Sequence, residues 1–244
     1  MGQVKETLEL LKDDVNYYGD FGKQFLSNSD IGTLLTNPLS LKEQRDTTSA
    51  MVFGKYFHTA ILEPDKLKAF KIIDASTRTT KVYKELSGGE MCLLQKEADI
   101  ADLLIEKVLD NNVFSSMINV GDVEYEVPGV MEIMGNMWKG KADIINHDDK
   151  LVIDLKTTSD INSFHFSASK YNYDSQAYLY RKIFGYDVVF IVIDKNTHQT
   201  GLFDCSTPFL ERGMEKVQKA TEIYDLFFKD DSFDAKQFFI NRTL

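Results

Sequence analysis

Between residues 122 and 157 the chain abandons helical spacing for short segments in which apolar and polar side chains alternate. That change limits the possible folds more than any other feature. Residues 122–127 (DVEYEV), 130–134, 137–145 (MWKGKADII) and 150–157 (KLVIDLKT) are rich in β-branched or aromatic residues, and Asn146-His147-Asp148-Asp149 is good turn material. They read as an antiparallel meander. A helix over 164–184 follows, ending at Gly185, then a buried strand at 187–194 (DVVFIVID), a shorter strand near 199–204 and a final helix over 207–229.

Upstream the spacing is helical. Residues 3–14 predict an amphipathic helix with Val4, Leu8 and Leu11 on one face, and 15–27 an irregular stretch. Ser27 or Ser29 can cap a short helix through Leu35 that stops near Asn37-Pro38, and a longer helix over 49–62 is ended by Pro64. Residues 74–85 (DASTRTTKVYKE) predict a mobile polar loop, and 90–110 a helix with Leu93, Leu94, Ile100, Leu103, Leu104 and Val108 at its apolar positions. This order predicts a mixed α/β fold, with a mainly antiparallel central sheet flanked by helices and a helical N-terminal part. With four prolines and no Gly/Ser-rich linker in 244 residues, one domain is expected, mainly helical over 1–115 and with its core in 116–244.

Composition bounds the chemistry. A net charge of −10 argues against a protein that coats DNA, because non-specific duplex binding rests on Lys and Arg neutralising phosphates. The objection weakens for a site whose carboxylates are neutralised by bound cations, and net charge does not describe a local patch. Cys92 and Cys205 form no CxxC pair, which excludes a cysteine-built zinc or iron–sulfur site and fits a reducing, cytoplasmic setting. No signal peptide is read at the N-terminus and no apolar run approaches a membrane span, so no membrane partner is expected.

The chemistry gathers at 151–160 (LVIDLKTTSD). Alternation along a strand points Leu151, Ile153 and Leu155 one way, and Val152, Asp154 and Lys156 the other. A surface ion pair on an edge strand is the plain explanation. The neighbouring strand offers another, because Asp143 lies just before the 146–149 turn and hairpin pairing can place it beside Asp154. Two carboxylates held close repel unless a cation sits between them, and carboxylates with waters and a phosphate oxygen are how Mg²⁺ is usually held. A lysine beside such a metal can stabilise charge on an attacking water or in the transition state.

Asp143…Asp154-Leu155-Lys156 resembles the signature of the PD-(D/E)XK nucleases, and the surrounding sequence resembles the exonuclease VIII (RecE) group of phage recombination nucleases. The family's DxKTT strand is matched by IDLKTTSDINSF, its Q-x-x-x-Y helix by Gln176 and Tyr180, its His-bearing helix with LEP by FGKYFHTAILEP (53–64), and its opening helix by SNSDIGTLLTNP (27–38). The resemblance runs from about residue 27 to 205 and departs from the pattern at Ala142, where the signature has proline.

The resemblance implies roles. Asp143 and Asp154 would be metal ligands, joined by the Leu155 carbonyl and by His58, and Lys156 would be the catalytic lysine. Glu124 resembles an additional acid lining the site, with Glu126 its rival two positions on. Gln176 and Tyr180, one turn apart, would face the site. His58, taken alone, reads equally as a core or surface histidine, and Tyr180 as packing. The basic stretch 76–84 is either a solvated loop or a loop holding DNA through Arg78, Lys81 and Lys84; Lys139, Lys141 and Thr157 are further phosphate-contacting candidates, and Trp138 reads as packing. The implied activity is ATP-independent hydrolysis of linear double-stranded DNA from its ends, 5′→3′, with two Mg²⁺ ions (Mn²⁺ substituting) and 5′-phosphate products. It would leave 3′ single strands for an annealing protein, and related enzymes form rings around DNA. No GxxxxGK[ST] phosphate loop is present, in keeping with ATP independence. A structure-specific or restriction-type endonuclease and a non-catalytic DNA-binding module are the rival readings.

Overall fold

The computed structural model of the protein describes residues 2–43, 46–235 and 239. The N-terminal part comprises α1 (Gly2–Leu11), α2 (Asp14–Tyr18), α3 (Asp20–Lys23), α4 (Asn28–Thr36) and α5 (Ser49–Leu62). The stretch read as irregular over 15–27 is thus largely helical. Asp13 caps α2 by accepting from the Val15 amide, and Tyr17 buries its ring, so short-range caps and tertiary contacts override weak periodicity. At α4 the reading holds: Ser27 is the N-cap, and its amide and hydroxyl both donate to the Asp30 carboxylate at 2.8 Å.

A short parallel pair, β1 (Ile72–Ile73) and β2 (Leu93–Leu94), brackets α6 (Lys81–Ser87), and α7 (Gln95–Leu109) and α8 (Asn112–Asn119) follow. Helix α6 corrects the expectation of a mobile loop. Thr80 caps it by accepting from the Tyr83 amide at 3.2 Å, and Tyr83 packs with Ile73, Cys92 and Leu94.

The remaining elements are β3 (Val123–Ile133), β4 (Asn136–Asn146), β5 (Leu151–Thr158), α9 (Phe164–Lys170), α10 (Tyr173–Phe184), β6 (Asp187–Asp194), β7 (Thr200–Asp204) and α11 (Thr207–Phe228). The strands form one five-stranded sheet in the order β3-β4-β5-β6-β7, in which only the β5–β6 pair is parallel. The mixed, mainly antiparallel sheet read from the sequence is therefore present. Strand β3 runs unbroken through Pro128 because it is an edge strand, where a missing N–H costs no ladder bond. Met134 and Gly135, both at positive φ, make the tight turn into β4.

Both faces of the sheet are covered. Ile144, Ile153, Leu155, Val189, Ile191 and Ile193 pack against α5, α7 and α8. On the other face Val152, Val188, Phe190 and Val192 pack against α9 and α10. This explains why β6 is apolar along nearly its whole length. A third cluster seats Trp138 and Ile133 against α4, α10 and α11. Gly129 and Gly140 sit opposite each other in the β3–β4 register, and a Cβ on Gly140 would lie 2.8 Å from the Tyr180 ring. Two missing side chains let α10 lie close on the sheet.

The helix expected over 164–184 is broken. Helix α9 ends at Lys170, and Asn172 takes a left-handed conformation with φ 59° before α10 begins. No helix among the described residues is long and apolar enough to cross a membrane.

Candidate active site

The site forms where two strands part. Strand β4 pairs with β5 only at Ile144–Ile153, Ile145–Val152 and Asn146–Leu151, whereas β5 pairs with β6 along all eight residues. Beyond Ile144 the freed edge of β4 takes another neighbour: the Leu26 amide donates to the Met137 carbonyl and the Lys139 amide to the Leu26 carbonyl. Simple alternation also fails here, since Ala142 and Ile144 belong to different clusters. Opposite Asp143, Glu126 has φ 51°, and these two residues drop out of the strand pairing while the register on either side is unchanged.

Asp143 sits at the parting. Its Oδ2 accepts from the Leu155 amide at 2.8 Å and lies 3.2 Å from His58 Nδ1. His58 shares its face of α5 with Ile61 and Leu62, which face the core. Burial opposes charge on both partners, but each favours the charged form of the other. The Asp143 carboxyl is held down by His58, Lys156 and the Leu155 amide, and the His58 imidazole is held up by Asp143.

Asp154 is only 1% exposed. Gln176 Nε2 donates to its Oδ2 at 2.6 Å, and the Lys156 ammonium presses on its Oδ1 without hydrogen-bond geometry. Burial raises its pKa to about 6; Lys156 opposes the shift and Asp143 adds to it. Lys156 keeps its charge, because Asp154 and Asp143 outweigh its own burial, and its Nζ lies 4.7 Å from the Tyr173 ring centroid. Asp143, Asp154, Lys156, His58 and Gln176 therefore come together, and of Leu155 it is the amide, rather than the expected carbonyl, that is seen to meet Asp143.

The additional acid is corrected. Glu124 is 59% exposed and lies 3.9 Å from His147 Nε2, whereas Glu126 faces Asp143 and lies 3.6 Å from Lys141 Nζ. Regular alternation would put both glutamates on one face; the left-handed turn of Glu126 separates them. Burial, then the Asp143 charge, raises the Glu126 carboxyl to about 7. Its own positive φ is the one feature that singles it out, and composition does not reveal that.

Tyr180 is buried, and its hydroxyl donates to the Lys141 carbonyl at 2.6 Å, so it positions β4 beside the site. Several basic candidates are committed elsewhere. Lys139 is buried, with its Nζ on the Tyr17 carbonyl and 4.1 Å from the Tyr17 ring centroid; burial lowers its pKa to about 8, and it offers no phosphate contact. Lys141 Nζ is bound to Asp14 at 2.5 Å, which places it at the rim next to Glu126. Arg78 forks onto both carboxylate oxygens of Glu97 and onto the Cys92 carbonyl, closing the α6 segment against α7 rather than reaching outward. Lys81 and Lys84 are exposed on α6, and Thr157 is half-buried opposite Ile193.

Among the described residues no group of three or more His, Cys, Asp or Glu side chains stands as a ready metal cage, and His58 and Lys156 are paired with the acids. The donor chemistry nonetheless suits a hard divalent cation. Asp143 acts on both Glu126 and Asp154, these two carboxyls are pushed toward protonation, and Asp154 Oδ1 has a cation but no hydrogen-bond donor of good geometry.

A mostly antiparallel five-stranded sheet flanked by helices, with acids and a lysine at the parting of two central strands, defines the PDDEXK-like class of fold. The chain belongs to the family described as PDDEXK-like domain of unknown function (DUF3799), whose model matches residues 34–233. Domains of this class generally use divalent metal ions. A candidate exonuclease from Eubacterium rectale has a similar solved structure, with TM-score 0.65 and 16% identity over 87% of this chain and 85% of that one. A phage-related exonuclease from Haemophilus somnus 129PT aligns with TM-score 0.37 and 16% identity over 84% of this chain and 95% of that one. No curated protein matches the chain.

Proposed function

We propose that this protein is a magnesium-dependent exodeoxyribonuclease that digests linear double-stranded DNA without ATP, 5′→3′, leaving 3′ single strands for recombination by annealing. The observation that carries the reading is the meeting of Asp143, Asp154, Lys156 and His58 where β4 leaves β5. Packing alone does not account for it. Buried acids gathered with a lysine and a histidine add little stability, and such clusters of perturbed groups concentrate at functional sites.

Asp143, Asp154 and Glu126 would hold the metal, with the Leu155 carbonyl beside them. Bound magnesium would supply Lewis-acid polarisation of the phosphate and a more acidic water. Lys156 orients that water or offsets the negative charge that builds on the phosphate oxygens. Gln176 fixes the Asp154 carboxylate, and Tyr180 fixes the strand that carries Lys141 and Asp143. His58 holds the Asp143 carboxylate in its charged form.

The test is digestion of end-labelled linear duplex, 5′ against 3′, with and without Mg²⁺, beside a closed circle of the same sequence. The expected result is loss of the 5′ label first, dependence on Mg²⁺ and a spared circle. Cleavage of the circle would turn the reading to an endonuclease, and inert DNA in every arm would remove the nuclease reading.

A further inference from the structure

The break between α9 and α10 is a built feature that the proposed chemistry does not use. Asn172 occupies the left-handed region, which costs an ordinary residue free energy and which Asn tolerates best after Gly. Three side chains from separate elements hold it there. Asn28 Nδ2 of α4 donates to its carbonyl at 3.1 Å, Ser175 Oγ to the same carbonyl at 2.9 Å, and Lys216 Nζ of α11 to its Oδ1 at 3.0 Å. Strain secured by its surroundings invites the question of what it displays.

It displays an aromatic step that begins at the catalytic lysine. The Tyr173 ring lies under Lys156 Nζ, and the Tyr171 ring lies 6.1 Å from Tyr173, inclined at 38°. Tyr171 is 56% exposed, with Lys170 Nζ 5.4 Å from its centroid. One turn back on the face of Lys170 stands Phe166, 70% exposed, with the exposed His165 ring 3.9 Å away. Open aromatic faces interleaved with lysine, in a chain of net charge −10, are costly to show to water without a partner.

We propose that Tyr171, backed by Tyr173 and flanked by Lys170, is a stacking platform for the unpaired bases of a single DNA strand next to the phosphate held at Lys156, with Phe166 extending it. A single strand is the occupant because flat rings at successive positions take bases of any identity and the lysine takes the backbone between them, whereas a duplex keeps its base faces to itself. The inference rests on the nuclease reading for the identity of its neighbour and deepens it: the strand would be unpaired before it reaches the carboxylates.

The experiment measures binding of a short labelled single strand and of the matching duplex by fluorescence anisotropy. It uses the full chain with calcium in place of magnesium, comparing wild type with Tyr171→Ala, Tyr171→Phe and Tyr171→Trp, beside DNA hydrolysis by the wild type in magnesium. Tyr171→Ala is expected to weaken single-strand binding roughly tenfold, while the aromatic variants stay within about twofold. Phe and Trp guard against a folding defect, since each keeps a ring at an exposed position. Wild-type affinity in Tyr171→Ala, equal losses on duplex and single strand, loss in Tyr171→Phe as large as in Ala, or no single-strand binding by the wild type would each overturn the platform. If the wild type hydrolyses DNA while any of these results is found, the platform falls alone. If single-strand binding depends on the ring but DNA is never hydrolysed, the platform stands and the nuclease reading falls.

Discussion

Two buried aspartates, one in the first turn of α10 and one facing that helix, are held in opposite ways. Asp174, at its start and fully buried, is saturated: Arg212 Nε donates at 3.0 Å, Lys216 Nζ at 2.8 Å and the Ser175 amide at 2.9 Å. Asp154, facing the same helix from β5, has one good donor in Gln176 and a lysine shared between two acids. The first carboxylate has more positive charge around it than it needs, and it ties α10 to α11. The second has less than it needs: burial first, and then the Asp143 charge, raise its pKa despite Lys156. Under the proposed function, the contrast separates a carboxylate that holds the fold from one short of partners that a cation would complete.

The strongest way to test that contrast is to remove the lysine. Lys156→Ala is expected to lower hydrolysis of linear duplex by roughly a thousandfold or more in single-turnover assays, with the far-UV spectrum unchanged. Wild-type rates would mean that the carboxylates serve no reaction.

Asp174→Ala should act on stability instead. It leaves Arg212 and Lys216 without their buried acid and is expected to cost about 3–5 kcal/mol in urea denaturation. Asp154→Asn keeps the Gln176 contact and should cost less than about 1 kcal/mol while abolishing activity. If the two losses of stability were reversed, the division of roles would be reversed with them.

A finer test compares the two glutamates of β3. Glu126→Gln should reduce hydrolysis by roughly tenfold to a hundredfold, the range typical of groups that support a metal, while Glu124→Gln should change it less than about twofold. Equal effects would show that the left-handed turn at Glu126 does not select the acid.

The smallest effect is in the pH dependence of metal stabilisation. The folded carboxyls of Asp154 and Glu126 titrate near 6 and 7, above ordinary carboxylates. Without metal, their contribution to stability is full below the ordinary carboxylate range and is lost as pH rises through about 6 to 7. Magnesium must displace those protons, so the rise in Tm that it causes should grow by a few degrees from about pH 5 to about pH 8. A gain that does not change with pH would show that the metal binds elsewhere.

The parts legible in the sequence were those fixed by short-range pattern. Alternation along β5 separated Leu151, Ile153 and Leu155 from Val152 correctly, and the apolar run 187–194 marked β6 with its true ends. Asp143, Asp154 and Lys156 were readable because a hairpin turn relates them locally. The rest depended on distant partners. Nothing near Lys139 in the sequence announces Tyr17, and nothing near Arg78 announces Glu97, so both cations looked free for phosphate. Glu126 and Asn172 turn on single backbone angles that side-chain periodicity does not encode. Asn172 left one usable trace, since Asn between two tyrosines is a residue that can leave the helix.

The facing glycines of β3 and β4 tie geometry to chemistry at a distance. They set how deep α10 rests, and that depth sets whether the amide four residues before Tyr180 can touch the acid on β5. One methyl group added at Gly140 carries no charge and meets no carboxylate, yet by lifting the tyrosine it would draw Gln176 back from Asp154. The Asp154 carboxylate is thus aimed, in part, by the absence of two side chains on the strands that support the helix.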